Sequence, residues 1–290
     1  MDIIVTALLA LPLVGAYALF ALGIVVIFQA SRVLNLAHGG MVIVPAYMTY
    51  ALAQHLPLAL SLIIGVGSGS LVGLLVERIF IRTLRGESMT TQTVGTVAAF
   101  GVILALIAKV FGTTPLPMPS VFPQGFVHLG SSGIKYGSIG LFVVMLVLAG
   151  GMFALFRFTS LGLAMRGAAQ NSRAAQLMGI NPIRTTQIAW VLGGALAGVA
   201  GILLAGVTDL DPYNLSLQAL PAFVAVLIGG LESLPGAVLG ALIVGGVVGV
   251  LPGLPGLGSI QGAPQLMLMI VAFVVMARRG QRLTAGDLRA

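Results

Sequence analysis

From Ile3 to Phe28 the chain runs 26 residues without one charged side chain. Wound as a helix at about 1.5 Å per residue, that stretch is roughly 39 Å long and outreaches the roughly 30 Å hydrocarbon core of a bilayer. Eight more apolar stretches follow, at about 33–53, 56–76, 93–111, 138–156, 186–206, 218–231, 236–251 and 265–277. A water-soluble fold could not hide them all. Only 7% of the 290 residues are charged, against roughly 25% in a soluble domain, too few to cover its surface. The 58% of apolar residues excludes a disordered chain as well. The sequence therefore predicts an all-α polytopic membrane protein. It would be one domain over residues 1–290, with about eight or nine transmembrane helices or re-entrant segments. Met1-Asp2 lacks the basic start of a signal peptide and the apolar stretch is too long for one, so a retained first span is expected. The stretches 218–231 and 236–251 are short. They either cross tilted or dip in and return.

Letting the chain change sides at each stretch sorts the charges. Arg32, then Arg78, Arg82 and Arg85, then Arg157, Arg166, Arg173 and Arg184, then Arg278, Arg279, Arg282 and Arg289 all fall on one side, and these are all 12 arginines. Lys109 and Lys135 fall on the other side, with Asp2, Asp209 and Asp211. The positive-inside rule places the arginine side in the cytoplasm. It thus sets the N-terminus outside and the C-terminus inside, whether 218–251 crosses twice or re-enters. The sequence pI of about 10.6 then reflects membrane insertion. Nucleic acid is not an expected partner, because the arginines form no basic run or aromatic platform.

Enzyme chemistry is missing. Without cysteine there is no disulfide and no thiolate metal site. No Gly-x4-Gly-Lys-[Ser/Thr] phosphate loop occurs, no His-Glu-x-x-His, and His38, His55 and His128 stand apart from carboxylates in sequence. No cofactor, metal or catalytic residue is expected, so energy for any work comes from a partner or an ion gradient. An ion-coupled carrier keeps ionisable groups inside the membrane. Here His38 reads as the one titratable side chain clearly within a span, with Glu232 at the inner boundary. An ion-coupled secondary carrier of small amino acids or amides is the alternative reading, with those two residues as its titrating groups. A non-transport scaffold is a third.

Several local patterns carry two readings each. Asn35, His38, Gly39 and Gly40 are either packing groups or the wall of a translocation path at a Gly-broken span. Small residues recur every four positions at Gly65, Gly69 and Gly73, at Gly194 and Gly198, and at Ala237, Ala241, Gly245 and Gly249. Such rows are helix-packing seams or, less simply, a substrate lining. Trp190 reads as an interfacial anchor near the inner surface. The loop 112–137, with Pro115, Pro117, Pro119 and Pro123, reads as rigid and extended, with shorter outer loops near 208–217 and 252–264. The inner loop 157–185 reads as a short surface helix. Arg166, Gln170 and Arg173 share one face, and Ala164, Ala168, Ala175 and Met178 another. Gly179 is a natural helix stop, and Asn181-Pro182 ends the element. That loop either lies on lipid headgroups or docks a cytoplasmic motor subunit.

The stretches Gly15–Gly23 (GAYALFALG) and Arg32–Gly40 (RVLNLAHGG) resemble the opening of the LivH-type permeases of branched-chain amino acid ABC importers. Asn171–Pro182 (NSRAAQLMGINP) resembles that family's cytoplasmic coupling segment, and Ala222–Ala237 (AFVAVLIGGLESLPGA) its late signature. The three matches stand in family order across nearly the whole chain. The resemblance implies a multi-pass permease of a prokaryotic plasma (inner) membrane that forms half of a translocation pathway. It implies four partners: a LivM-like second permease, cytoplasmic ATPases resembling LivG and LivF, and an extracytoplasmic substrate-binding protein. It implies coupling through residues 169–179, with Ala169, Asn171, Arg173, Ala174, Leu177, Met178 and Gly179 as the contacts. One departure stands out. Gln170-Asn171 occupy the place where such segments commonly carry an acidic residue, so shape and apolar contact are expected to replace a salt bridge. Related permeases handle urea, amides and other amino acids.

Overall fold

The structure is a computed structural model that describes residues 10–129, 132–251 and 262–287. The readings of residues 3–9, of the loop at 252–261 and of Arg289 lie outside the described residues, as do the side chains of Arg278, Arg279 and Arg282.

The apolar stretches become helices: α1 (Leu11–Ser31), α2 (His38–Ala53), α3 (Leu58–Val76, extended by a π-turn over Glu77–Ile81), α4 (Met89–Phe111) and α5 (Tyr136–Phe158). Two short helices follow, α6 (Ser160–Gln170) and α7 (Ser172–Leu177), then α8 (Pro182–Ala205), α9 (Pro212–Leu217), α10 (Ala219–Gly229), α11 (Leu234–Val250) and α12 (Ala263–Asp287). Among the described residues six segments are long and apolar enough to cross a membrane: α1, α3 with its π-turn, α4, α5, α8 and the α9–α10 run. The loop after α4 is not wholly irregular. It holds an antiparallel hairpin of β1 (Phe126–Leu129) and β2 (Ser132–Lys135), paired Phe126 to Lys135. Period-2 patterning over four residues was too short to announce it.

Helices α1 and α8 form the centre: the apolar side chains of α1 are almost all buried, as are those of α8 from Leu196 to Ala205 except Val199. Around them α3, α4, α5, α11 and α12 turn large apolar side chains outward, such as Ile63, Val110, Val147, Leu239 and Phe273. A soluble bundle would invert this arrangement, and lipid explains it.

Glycine sets how closely the helices pack. A Cβ on Gly69 would stand 2.5 Å from the Gly194 carbonyl oxygen, and one on Gly73 would strike the Trp190 carbonyl. Gly65 lies on Thr49, and Gly198 on Pro45. The α3–α8 crossing is therefore backbone on backbone. Gly245 meets Val14, with 2.6 Å from a built Cβ to the Val14 Cα, and Gly249 meets Ala10, so α11 runs the length of α1 in the opposite sense. Ala241 is fully buried between them. Trp190 departs from the expected surface anchor: it is 0% exposed, inside the α8 seam. Its backbone carbonyl faces Gly73, so this turn of α8 lies in the helix contact.

The two ends of the bundle differ in charge. Arg32 closes α1, and it shares one cleft with Arg85 and with the segment around Asn181. Arg157 and Arg166 share a second cavity with Glu232. At the opposite end, Leu116 pairs with Leu210 through two backbone hydrogen bonds of 3.0 Å. That pairing ties the long loop after α4 to the short one after α8. Lys109 and Lys135 flank the long loop.

Candidate functional site

The basic end carries an elbow of two short helices. Thr159 starts α6 by accepting the Gly162 N–H at 3.1 Å, and Gly162 lies against the backbone of Phe156, where no side chain would fit. Arg166 reaches back to donate to the Phe156 carbonyl, fastening α6 to the end of α5. Asn171 then leaves the helix, at φ −146° and ψ 94°, and caps α7 by accepting the Ala174 N–H at 2.9 Å. Helix α7 ends in a Schellman turn. Gly179 takes φ +78°, the Gly179 N–H donates to Gln176 at 3.0 Å, and the Ile180 N–H donates to Ala175 at 3.0 Å.

That turn decides what is presented. Ala175 packs inward, while Leu177 is 86% and Met178 81% exposed. No other large apolar side chain among the described residues is as open. Met178 therefore does not share a face with Ala175, as a continuous helix would require. Met178 is the cap residue of α7, where the chain leaves the helix into the Gly179 turn. Arg173 and Ala174 are exposed, and Ala169 is half-buried. Asn181-Pro182 does not merely end this element: Asn181 caps α8, accepting the Ile183 N–H at 3.0 Å and the Arg184 N–H at 3.3 Å. A cleft of about 880 Å³ separates the elbow from the ends of α1 and α3, with Arg32, Arg85, Ala169, Ser172, Gln176 and Gly179 on its walls.

Asn35, His38, Gly39 and Gly40 are brought together at the start of α2, all buried. Residues 32–37 are not helical. Thr96 of α4 holds them by accepting the Leu36 N–H at 2.9 Å, and the Asn35 side chain accepts the Ala37 N–H at 3.0 Å. The His38 ring stands edge-on to Phe20, 6.1 Å between centroids, in space that Gly23 leaves open: a Cβ there would lie 2.6 Å from the imidazole Cε1. Neither ring nitrogen has a hydrogen-bond partner. Gly39 touches the α9–α10 break at the Ser216 carbonyl, and Gly40 touches Ile103.

Sequence reasoning overlooked one carboxylate and the partner of another. Glu77 lies beyond the expected end of its span, yet α3 continues through the π-turn and buries it completely, with Oε1 3.2 Å from Arg85 Nη2. His38 is thus not alone as a buried ionisable group. Glu232 pairs with Arg32, 200 residues away in sequence. The Arg85 that follows Glu77 by eight residues was a usable signal, and no local pattern announces the second pair.

Long apolar helices, a small-residue core and one exposed elbow define a polytopic membrane permease. The chain belongs to the family described as branched-chain amino acid transport system / permease component, whose model matches residues 6–277. It is 29% identical over 238 residues to a probable branched-chain amino acid transport permease protein LivH of Methanocaldococcus jannaschii, covering 78% of this chain and 74% of that one. It is 29% identical over 257 residues to the high-affinity branched-chain amino acid transport system permease protein LivH of Escherichia coli K12, covering 80% of each. The LivM permease protein of Salmonella typhimurium is 26% identical over 260 residues, covering 78% of this chain and 59% of that one.

Proposed function

We propose that this chain is one of two permease subunits of an ATP-driven, binding-protein-dependent importer in a prokaryotic plasma membrane. Its substrates are branched-chain or related apolar amino acids, and its elbow receives the push of an ATPase subunit. The observation that carries the docking role is the tip of α7. Two large apolar side chains stand fully open on a rigid Schellman turn, at the end of the bundle that collects the arginines. Open apolar groups in water cost free energy unless a partner covers them. The arginines support an orientation with this end in the cytoplasm, the N-terminus outside and the C-terminus inside.

The segments α9–α10 and α11 cross twice rather than re-enter on this reading, which Glu232 at the end of α1 and Gly249 at its start support. At the other end, a hollow of about 410 Å³ lined by Met118, Phe126, Lys135, Ser138 and Val207 suits the docking of a substrate-binding protein. The path runs between this subunit and a second, LivM-like one, and residues 1–290 act as one domain with 157–185 as its coupling loop. The buried cluster of Asn35, His38, Gly39 and Gly40 lies behind the wall of that path and moves with it. ATPase closure presses the elbow, and the glycine-packed helices rock as units.

The test replaces Leu177 and Met178 together with Asp. Uptake and substrate-stimulated ATP hydrolysis are expected to fall at least about tenfold, while the two permeases still co-purify. Unchanged uptake and hydrolysis would remove the elbow from the coupling step.

A further inference from the structure

Glu232 sits at the tip between α10 and α11, paired with Arg32 and sharing a cavity with Arg157 and Arg166. Its Oε1 accepts from Arg32 Nη1, and its carbonyl accepts from Gln29 Nε2 at 2.6 Å. Arg32 is held for this contact. It ends α1 in the left-handed region, at φ 59°, the only described non-glycine residue with positive φ, and donates its own N–H to Phe28 at 2.8 Å. A non-glycine residue takes that conformation only where its surroundings impose it. The guanidinium also stands 5.9 Å from the centre of the Phe28 ring. On its other side Glu232 lines a cavity of about 180 Å³ with Arg157 and Arg166. Arg166 belongs to α6, the first half of the elbow.

We propose that Glu232 is a positioning residue of the transport cycle. Its pairing with Arg32 latches the α10–α11 tip to the end of α1, and displacement of the elbow brings Arg166 to Glu232 and releases the latch. Three features carry this. First, the pair joins the α10–α11 tip to the end of α1, so its opening frees that tip while the glycine contacts of α11 keep the helices together. Second, it is exposed, with side-chain accessibilities of 28% for Arg32 and 65% for Glu232. Exposed pairs add little to stability and exchange partners readily. That suits a contact made and broken each cycle and poorly suits a structural brace. Third, the competing arginine sits on the element that the proposed ATPase contact would move and lines the same cavity, and it exchanges its bond to the Phe156 carbonyl for Glu232 as the elbow shifts.

The latch rests on the importer reading, and the experiment separates the two. The chain has no cysteine, so Arg32→Cys with Glu232→Cys forms a clean pair. The complex is reconstituted with its ATPases in proteoliposomes, and the pair is bridged with a reducible bis-methanethiosulfonate. Bridging should cut leucine uptake about tenfold or more, and reduction should restore it, while the ATPases stay bound throughout. Bridged protein that transports as fast as reduced protein would overturn the latch. Loss of ATPase co-purification before bridging would instead count against the importer reading.

A charge exchange guards against a pair that fails to assemble. Arg32→Glu and Glu232→Arg should each slow uptake, and the double exchange should recover to within about threefold of the parent. Melting temperatures should stay nearly constant, because the pair is exposed. No recovery, or uptake falling only in step with melting temperature, would overturn the latch. Arg166→Gln should slow turnover and Arg166→Lys should largely restore it. Equal behaviour of the two would remove Arg166 from the mechanism.

Discussion

The α3–α8 seam and the α6–α7 elbow use glycine in opposite ways. In the seam, Gly69, Gly73, Gly194 and Gly198 delete side chains so that backbones touch and nothing projects. At the elbow, Gly179 supplies a left-handed turn with open space around it, and its neighbours Leu177 and Met178 project fully. One region is closed to everything but its own helices. The other leaves its apolar tip open. The contrast teaches that glycine abundance in this chain has no single meaning, and that local φ and surrounding contact decide which use applies.

The comparison breaks first at the seam. Gly69→Leu forces four carbons into the Gly194 backbone, and with no room to relax the folded subunit should be lost from membranes, as judged by fluorescence-detected size exclusion. Survival of a monodisperse subunit would show that the seam gives way. Next in size, Leu177→Asp with Met178→Asp should keep the subunit folded, with melting temperature within about 2 °C of the parent, and yet lose ATPase co-purification. The same substitution pattern in the seam would unfold the subunit.

Smaller effects sharpen the elbow. Gly179→Ala places a Cβ at φ +78° and should destabilise the turn by about 1 kcal/mol, read as faster hydrogen exchange over 175–181 with the seam unchanged. Asn171→Ala removes the α7 cap and should cost about 1 kcal/mol or less of local stability, read in the same experiment over 172–177. Ser or Asp at 171 should restore protection, because each supplies the capping oxygen.

Much of the fold was legible because lipid makes the pattern coarse. The long apolar stretches became helices, while the charge-free but proline-rich 112–134 did not, and the glycines of the four-residue rows lie where helices meet. The elbow was legible in part. Gly179 and Asn181-Pro182 marked boundaries, but 157–185 was read as one helix with no break at Asn171, and Met178 was placed on the face of Ala175. What stayed hidden depends on distant partners. Arg32 and Glu232 meet only because α1, α10 and α11 pack together. Glu77 is buried only because a π-turn prolongs α3 by five residues. Trp190 followed the common habit of interfacial tryptophans on paper, and in the fold its seam takes it inside.

ATP-driven import through a partner motor is the proposed work of this subunit. Its most direct test is radiolabelled leucine uptake into proteoliposomes holding this chain with its second permease, ATPases and binding protein. Uptake that requires internal ATP and is indifferent to imposed proton or sodium gradients is the predicted result. Uptake driven by either gradient, with ATP and the ATPases absent, would contradict it.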